Sequence, residues 1–237
     1  MTPALFMIQN QYQQAMGLAQ QAAMAEMMGN PAAALQGFDQ AIGLAGNAIG
    51  MAPQYGLAAS DQEYFGFAWC SFQGARLKAA FGMMQVAMQY LAQAEQALRQ
   101  AIGINPGFFG YYSGLGTVVL AQGNAAMAIQ CFYSAVQRNP MDTFSQWMLS
   151  ALYSSQGNTA SAQHYYNVAS EQMPSLPAPQ SVSHGTTVKS GHASQKDWFE
   201  LINNGMKLAS GILGALSDKG QEGAQPSWNS GQFGFPQ

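Results

Sequence analysis

Residues 125–140, AAMAIQCFYSAVQRNP, place Ala128, Phe132, Ala135 and Pro140 at offsets that return, 34 residues on, as Ala162, Tyr166, Ala169 and Pro174. Under the same shift Leu115 meets Leu149, and Gly123 of AQGN meets Gly157 of SQGN. One step back it reaches Gly82, Ala94, Leu98, Ala101 and Pro106, so prolines stand evenly at 106, 140 and 174. No other feature constrains the fold as much. A chain self-similar at this period stacks copies of one supersecondary unit, because a single unit cannot bury its own apolar face.

Each unit reads as two helices. Ala128, Phe132 and Ala135 follow the i, i+4, i+7 spacing of one helical face. The small residues let a neighbouring helix approach, and the aromatic fills the space beside them. Gly123-Asn124 makes the turn between the helices, where positive φ is cheap for Gly and tolerated by Asn. INP and RNP close the units, since Pro cannot continue a helix and drives the residue before it out of the helical region.

The pattern resembles the tetratricopeptide repeat family. The unit 109–142 carries the resemblance on Tyr112, Leu115, Gly116, Gly123, Ala128, Phe132, Ala135 and Pro140, with Val119 in place of the usual Tyr. The unit 143–176 carries it on Leu149, Tyr153, Gly157, Ala162, Tyr166, Ala169 and Pro174, with Ser150 in place of Gly. The unit 75–108 is poorer in its first helix. The resemblance implies an all-α solenoid of helical hairpins, with helix pairs near 75–104, 109–138 and 143–172. In this family the first helices line a concave face that grips another polypeptide. Carried over, that protein-binding groove is Arg76, Met83 and Val86, then Ser113, Thr117 and Leu120, then Phe144, Trp147 and Ala151. Only Arg76 could hold a carboxylate. The rest of the lining is apolar or small, which suits an apolar helix or an extended segment.

Outside residues 75–176 the pattern weakens. Gly29, Ala34, Phe38 and Ala41 make a degenerate repeat-like unit within residues 1–74, with Asn30-Pro31 as its helix start. The distance from this unit to residue 75 calls for an insertion or an extra helix around residues 49–74, opened by a capping box in SDQE at 60–63. Residues 177–194, rich in Pro, Ser, Gly and Thr, read as a linker. Residues 195–237 read as an amphipathic helix and an irregular tail containing Trp228, Phe233 and Phe235. The helix stripe of Trp198, Leu201, Ile202, Ile212, Leu213 and Leu216 must leave water somewhere, in cis or in trans, and is expected to dock preferably on a neighbouring copy.

Composition narrows the function. Charged residues are 8% of the chain and the net charge is −3, against about 25% charged residues in an ordinary domain. Such a surface lacks the repulsion that keeps proteins apart. Eight Lys and Arg in all argue against nucleic acid, whose phosphates need clustered cations. The three histidines have no partner at metal-ligand spacing, and no phosphate loop or nucleophile elbow is present. The expectation is therefore no enzyme, no metal and no cofactor. Cys70 and Cys131 lie in apolar stretches and read as buried thiols, with a disulfide the lesser alternative. No apolar run approaches the ~20 residues that cross a bilayer. The 197–216 helix mixes acidic and basic residues on its polar face, which argues against a membrane partner. The N-terminus lacks the pattern of a standard secretory signal. A cytoplasmic protein is the default, with non-classical export if it forms a filament. The function expected is a non-catalytic interaction scaffold, self-assembling into a homo-oligomer or filament by repeat stacking and docking of the C-terminal segment. The alternative is an adaptor or co-chaperone that binds an apolar segment of a different protein.

Overall fold

Gly29, Gly82, Gly123 and Gly157 sit at φ of 78°, 77°, 91° and 76°, and at each of them one helix ends and the chain folds back into the next. The computed structural model describes residues 3–174 together with 176 and 202. Among them run α1 (Pro3–Met27), α2 (Pro31–Met51), α3 (Asp61–Ala80), α4 (Met84–Ile104), α5 (Phe109–Ala121), α6 (Ala125–Arg138), α7 (Thr143–Ser155) and α8 (Thr159–Gln172). No strand occurs among the described residues. The chain divides into two units, Met1–Pro106 and Gly107–Gln237. In the first, α1 packs on α2, α3 on α4, and α2 on α3; in the second, α5 packs on α6, α7 on α8, and α6 on α7.

The turns have a shared chemistry. The Asn124 amide donates to the Val119 carbonyl at 2.9 Å and the Gly123 amide to Leu120 at 2.8 Å. This is the Schellman arrangement, in which a left-handed residue satisfies the last carbonyls of a helix. Equivalent pairs of bonds close α1, α3 and α7. Asn then does something the turn reading did not ask of it. Asn30, Asn124 and Asn158 have negative φ, and each side chain accepts an amide from the first turn of the following helix. The Gly takes the strained backbone and the Asn caps the helix.

Counted from the turn glycine, all four hairpins share one register. Five residues on stand Ala34, Ala87, Ala128 and Ala162, each at most 4% exposed. Nine on stand Phe38, Leu91, Phe132 and Tyr166. Twelve on stand Ala41, Ala94, Ala135 and Ala169, all fully buried. The facing helix answers with a small residue seven before the glycine: Ala22, Ala75, Gly116 and Ser150. A Cβ on Gly116 would lie 2.9 Å from the Phe132 ring. Ser150 fits in place of glycine because its buried hydroxyl donates to the Ala162 carbonyl at 2.8 Å. Gly116→Ala is expected to cost about 1–3 kcal/mol, since the ring is held on both sides and has nowhere to retreat; chemical denaturation reads it directly. Successive hairpins within a unit meet through aromatics. Phe132 lies edge-on to Phe144 at 6.1 Å, and Phe38 edge-on to Trp69 at 5.7 Å, at equivalent places.

The expected helix pairs at 109–138 and 143–172 coincide with α5–α6 and α7–α8. The pair expected at 75–104 does not: its first helix starts at Asp61, and residue 75 falls inside α3. α3 has 20 residues against 13 in α5, and α4 has 21 against 14 in α6. Each is longer by seven residues, which is two helical turns and returns the apolar stripe to the same face. Ala87, Leu91, Ala94, Leu98 and Ala101 accordingly form one continuous buried row on α4. Counting back from Pro106 captures its far end and counting from Gly82 its near end. The stretch expected to be an insertion or an extra helix is a 3-10 turn at Ala52–Tyr55, a short loop and most of helix α3. The capping box is present: the Ser60 amide donates to Glu63 Oε2 at 2.7 Å and the Glu63 amide to Ser60 Oγ at 3.2 Å. Cys70 and Cys131 are buried free thiols, and burial pushes the Cys70 thiol up.

Candidate protein-binding surface

The groove positions carried over from the repeat pattern fare differently in the two units. In the second unit Ser113, Thr117 and Leu120 fall on α5, and Phe144, Trp147 and Ala151 on α7. Ser145 Oγ lies 3.1 Å from Ser113 Oγ, which sets the two helices side by side. In the first unit Met83 and Val86 are not on a first helix at all. Met83 precedes α4 as its N-cap residue and Val86 belongs to the first turn of α4. The seven-residue lengthening of α3 is the cause: the position numbers slide two turns along the hairpin. Arg76, which the pattern aligns with Phe144, shifts as well: it stands six residues before the turn glycine, where Thr117 and Ala151 stand in their hairpins. The residues that do match Phe144 and Trp147 are Trp69 and Phe72, both buried on α3. The signal that finds them is the Gly82 turn with Ala87, Leu91 and Ala94 behind it.

Arg76 is committed. Its guanidinium pairs with the Glu26 carboxylate of α1 and donates to Gln73 Oε1 at 3.0 Å. That bridge joins the turn-proximal ends of α1 and α3 and leaves the only candidate cation of the groove neutralised.

The α5–α7 face is closed within a single chain. Ser113, Thr117, Leu120, Trp147 and Ala151 are each no more than 4% exposed. Phe144 is turned onto Phe132 of the preceding hairpin and is part of the packing between hairpins. Residues 113–121 of α5 are buried without a break, as are residues 143–152 of α7. The hydroxyls on these helices find partners inside the fold: Thr117 Oγ1 donates to the Ser113 carbonyl at 3.0 Å. The face is therefore apolar to anything laid on it. Asp142, the N-cap residue of α7, accepts the Ser145 amide at 3.4 Å. It is 3% exposed, and burial pushes its carboxyl up to about 6 against the opposing pull of its hydrogen bonds. Its Oδ2 and Gln146 Oε1 are buried acceptors with no hydrogen-bond partner among the described residues.

Of the C-terminal stripe, Ile202 is helical and wholly buried. Trp198, Leu201, Ile212, Leu213 and Leu216 lie outside the described residues. So do the stretch 177–194 and the tail.

A different surface is open. Met24, Met27 and Met28 at the α1–α2 turn are 61%, 89% and 84% exposed, and Phe81 and Met83 at the α3–α4 turn are 48% and 37% exposed. The Glu26–Arg76 bridge holds these two turns next to each other. The result is a Met-rich apolar edge on the first unit, of which the repeat pattern singles out Met83 alone, and that as a groove residue. Such an edge adapts to the shape of what it meets.

Among the described residues no three His, Cys, Asp or Glu side chains converge as metal ligands, and no helix is long and apolar enough to cross a membrane. Residues 75–108 match the family model described as tetratricopeptide repeat, a stretch that holds the last turns of α3, the Gly82 turn and α4. No curated protein sequence matches the chain. Among solved structures, a crystal structure of MamA is 17% identical with a TM-score of 0.40, over 66% of this chain and 77% of that one. A second crystal structure of MamA is 15% identical with a TM-score of 0.37, over 68% of this chain and 93% of that one.

Proposed function

The chain is a tetratricopeptide repeat protein, and from that premise we propose that it is a non-catalytic interaction scaffold that assembles with copies of itself through the apolar turn edge of its first two hairpins. The observation that carries this reading is the exposure of Met24, Met27, Met28, Phe81 and Met83 on one edge. Exposed apolar groups gathered in one place mark an interaction site, whereas single ones do not. The charges beside these turns in the sequence are paired, Glu26 with Arg76 and Lys78 with Asp39. With charged residues at 8% of the chain, little repels a second copy from this edge. Repeat hairpins also leave open ends, and contacts between unlike surfaces of identical chains propagate into rings or filaments.

Light scattering on the full chain at rising concentration tests the proposal. Species well above the 25.3 kDa of one chain are expected, and Met27→Glu with Met28→Glu, which charges the edge without touching the core, is expected to return the monomer. A full chain that stays monomeric at tens of micromolar sinks self-assembly. The reading that then stands is an adaptor binding an apolar segment of a different protein.

A further inference from the structure

We propose that Met24, Met27 and Met28 form a methionine oxidation site that takes a hydroperoxide as its oxidant, and that their conversion to sulfoxides turns the apolar turn edge of the first unit polar. On the reading that copies of the chain meet at this edge, the modification takes the assembly apart. Met27 is the last residue of α1, and Met28 opens the turn to Gly29. They are the two most exposed large apolar side chains among the described residues. Met24 stands three residues before the one and four before the other, on the same side of the helix end. Nothing in the hairpin asks for sulfur here. The two residues before the turn glycine are Ala80 and Phe81 in the second hairpin, Ala121 and Gln122 in the third, and Ser155 and Gln156 in the fourth.

The buried sulfurs do not compete. Met16 and Met148 belong to the core. Cys70 and Cys131 are buried free thiols, and a thiol that keeps its proton attacks peroxide poorly. A thioether needs no deprotonation. Its sulfur lone pair attacks the terminal oxygen of the hydroperoxide, and an S–O bond forms as the O–O bond breaks. The hydroperoxide's proton passes to the leaving oxygen, which departs as water or an alcohol. The sulfur is oxidised by two electrons and the peroxide is reduced by two.

The product changes what the edge can touch. A sulfoxide oxygen is a polar acceptor, and burying it costs free energy unless a donor meets it. The backbone of the edge offers none. The Met28, Gly29 and Asn30 amides donate to the Met24, Glu26 and Ala25 carbonyls at 3.0, 2.9 and 2.9 Å. The Phe81, Gly82 and Met83 amides donate to Leu77, Ala79 and Lys78 at 3.0, 3.0 and 2.8 Å. Arg76 and Lys78, the cations beside these turns in the sequence, are paired with Glu26 and Asp39. A free chain keeps its sulfoxides in water, so oxidation weakens the occupied edge and spares the fold. Peroxide acts on the free chain, and mass action then drains the assembly.

The test treats the full chain with limiting hydrogen peroxide. Peptide mapping by mass spectrometry is expected to find sulfoxide forming at Met24, Met27 and Met28 roughly tenfold faster than at Met16 and Met148. Retention on a hydrophobic-interaction column is expected to fall in step and to return after treatment with methionine sulfoxide reductases. Met24→Leu, Met27→Leu and Met28→Leu together keep the edge apolar with no sulfur to oxidise, and this variant is expected to hold its retention under peroxide. Met141→Leu, which removes an exposed methionine of the second unit, is expected to lose retention as the unaltered chain does. Light scattering on the same samples is expected to show assemblies that dissolve on oxidation, re-form on reduction and persist in the triple variant. Sulfoxide spread evenly over exposed and buried methionines, or a triple variant that loses as much retention as the unaltered chain, overturns the site. Assemblies that survive full oxidation of the three methionines overturn the release and leave self-assembly standing. An untreated chain that is already monomeric overturns self-assembly instead, and mapping and retention then decide the site.

Discussion

Phe132→Ala is expected to destabilise the protein by about 3–5 kcal/mol, the range for deleting a fully buried aromatic. Phe132 is 0% exposed. Its ring closes the α5–α6 hairpin against Gly116, where even one added carbon would sit 2.9 Å away. The same ring meets Phe144 of the next hairpin at 6.1 Å. Repeat proteins are stabilised by each hairpin and by each junction between neighbours, and Phe132 serves one of each. The cavity left by alanine cannot be closed from α5, because Gly116 has no side chain to move in. Denaturant melts of Phe132→Ala against Tyr133→Ala measure it. Tyr133 is 46% exposed and its loss should stay within about 0.5 kcal/mol. A loss under about 1 kcal/mol at Phe132 would mean that the ring is not the centre of the hairpin.

Asp142→Asn is expected to act in the opposite direction, raising stability at pH 7 by roughly 1–3 kcal/mol. The Asp142 carboxyl is buried and pushed up to about 6 by desolvation. The folded protein therefore holds its proton more tightly than the unfolded chain does. A group with a raised folded value stabilises the fold fully below its unfolded value, and that contribution is lost as pH rises through the folded one. The loss falls between about pH 4 and pH 6. Above that window the native chain carries a buried charge whose second oxygen has no hydrogen-bond partner among the described residues. Asparagine keeps the oxygen that accepts the Ser145 amide and carries no charge. Unfolding free energies at pH 4 and pH 7 check both halves. The two proteins should be close at pH 4 and the variant ahead at pH 7. A variant less stable at both values would show that Asp142 is needed as an anion.

Much of this was legible because the signals are local. The last two hairpins follow from Ala128, Phe132 and Ala135 with their counterparts, and from Gly123 and Gly157, since a helical face and a left-handed turn are decided by residues within a few positions of each other. The capping box at Ser60 and Glu63 is local in the same way. The groove was legible as a set of positions on α5 and α7 and illegible as an environment. Nothing near Trp147 in the sequence says whether that side chain meets water.

The sequence by itself determined the hairpin unit, its turn chemistry and the small–large–small face, because each is fixed by spacing along one helix. Only the tertiary structure decided where the second hairpin begins. Seven inserted residues return a helix to the same face, so α3 and α4 could lengthen by two turns without disturbing the pattern that a period of 34 detects. Only the tertiary structure decided, too, that Arg76 is paired with Glu26 and that Leu120, Trp147 and Ile202 are covered. Burial and pairing are sums over neighbours that the chain brings from a dozen to fifty residues away, and no local spacing records them.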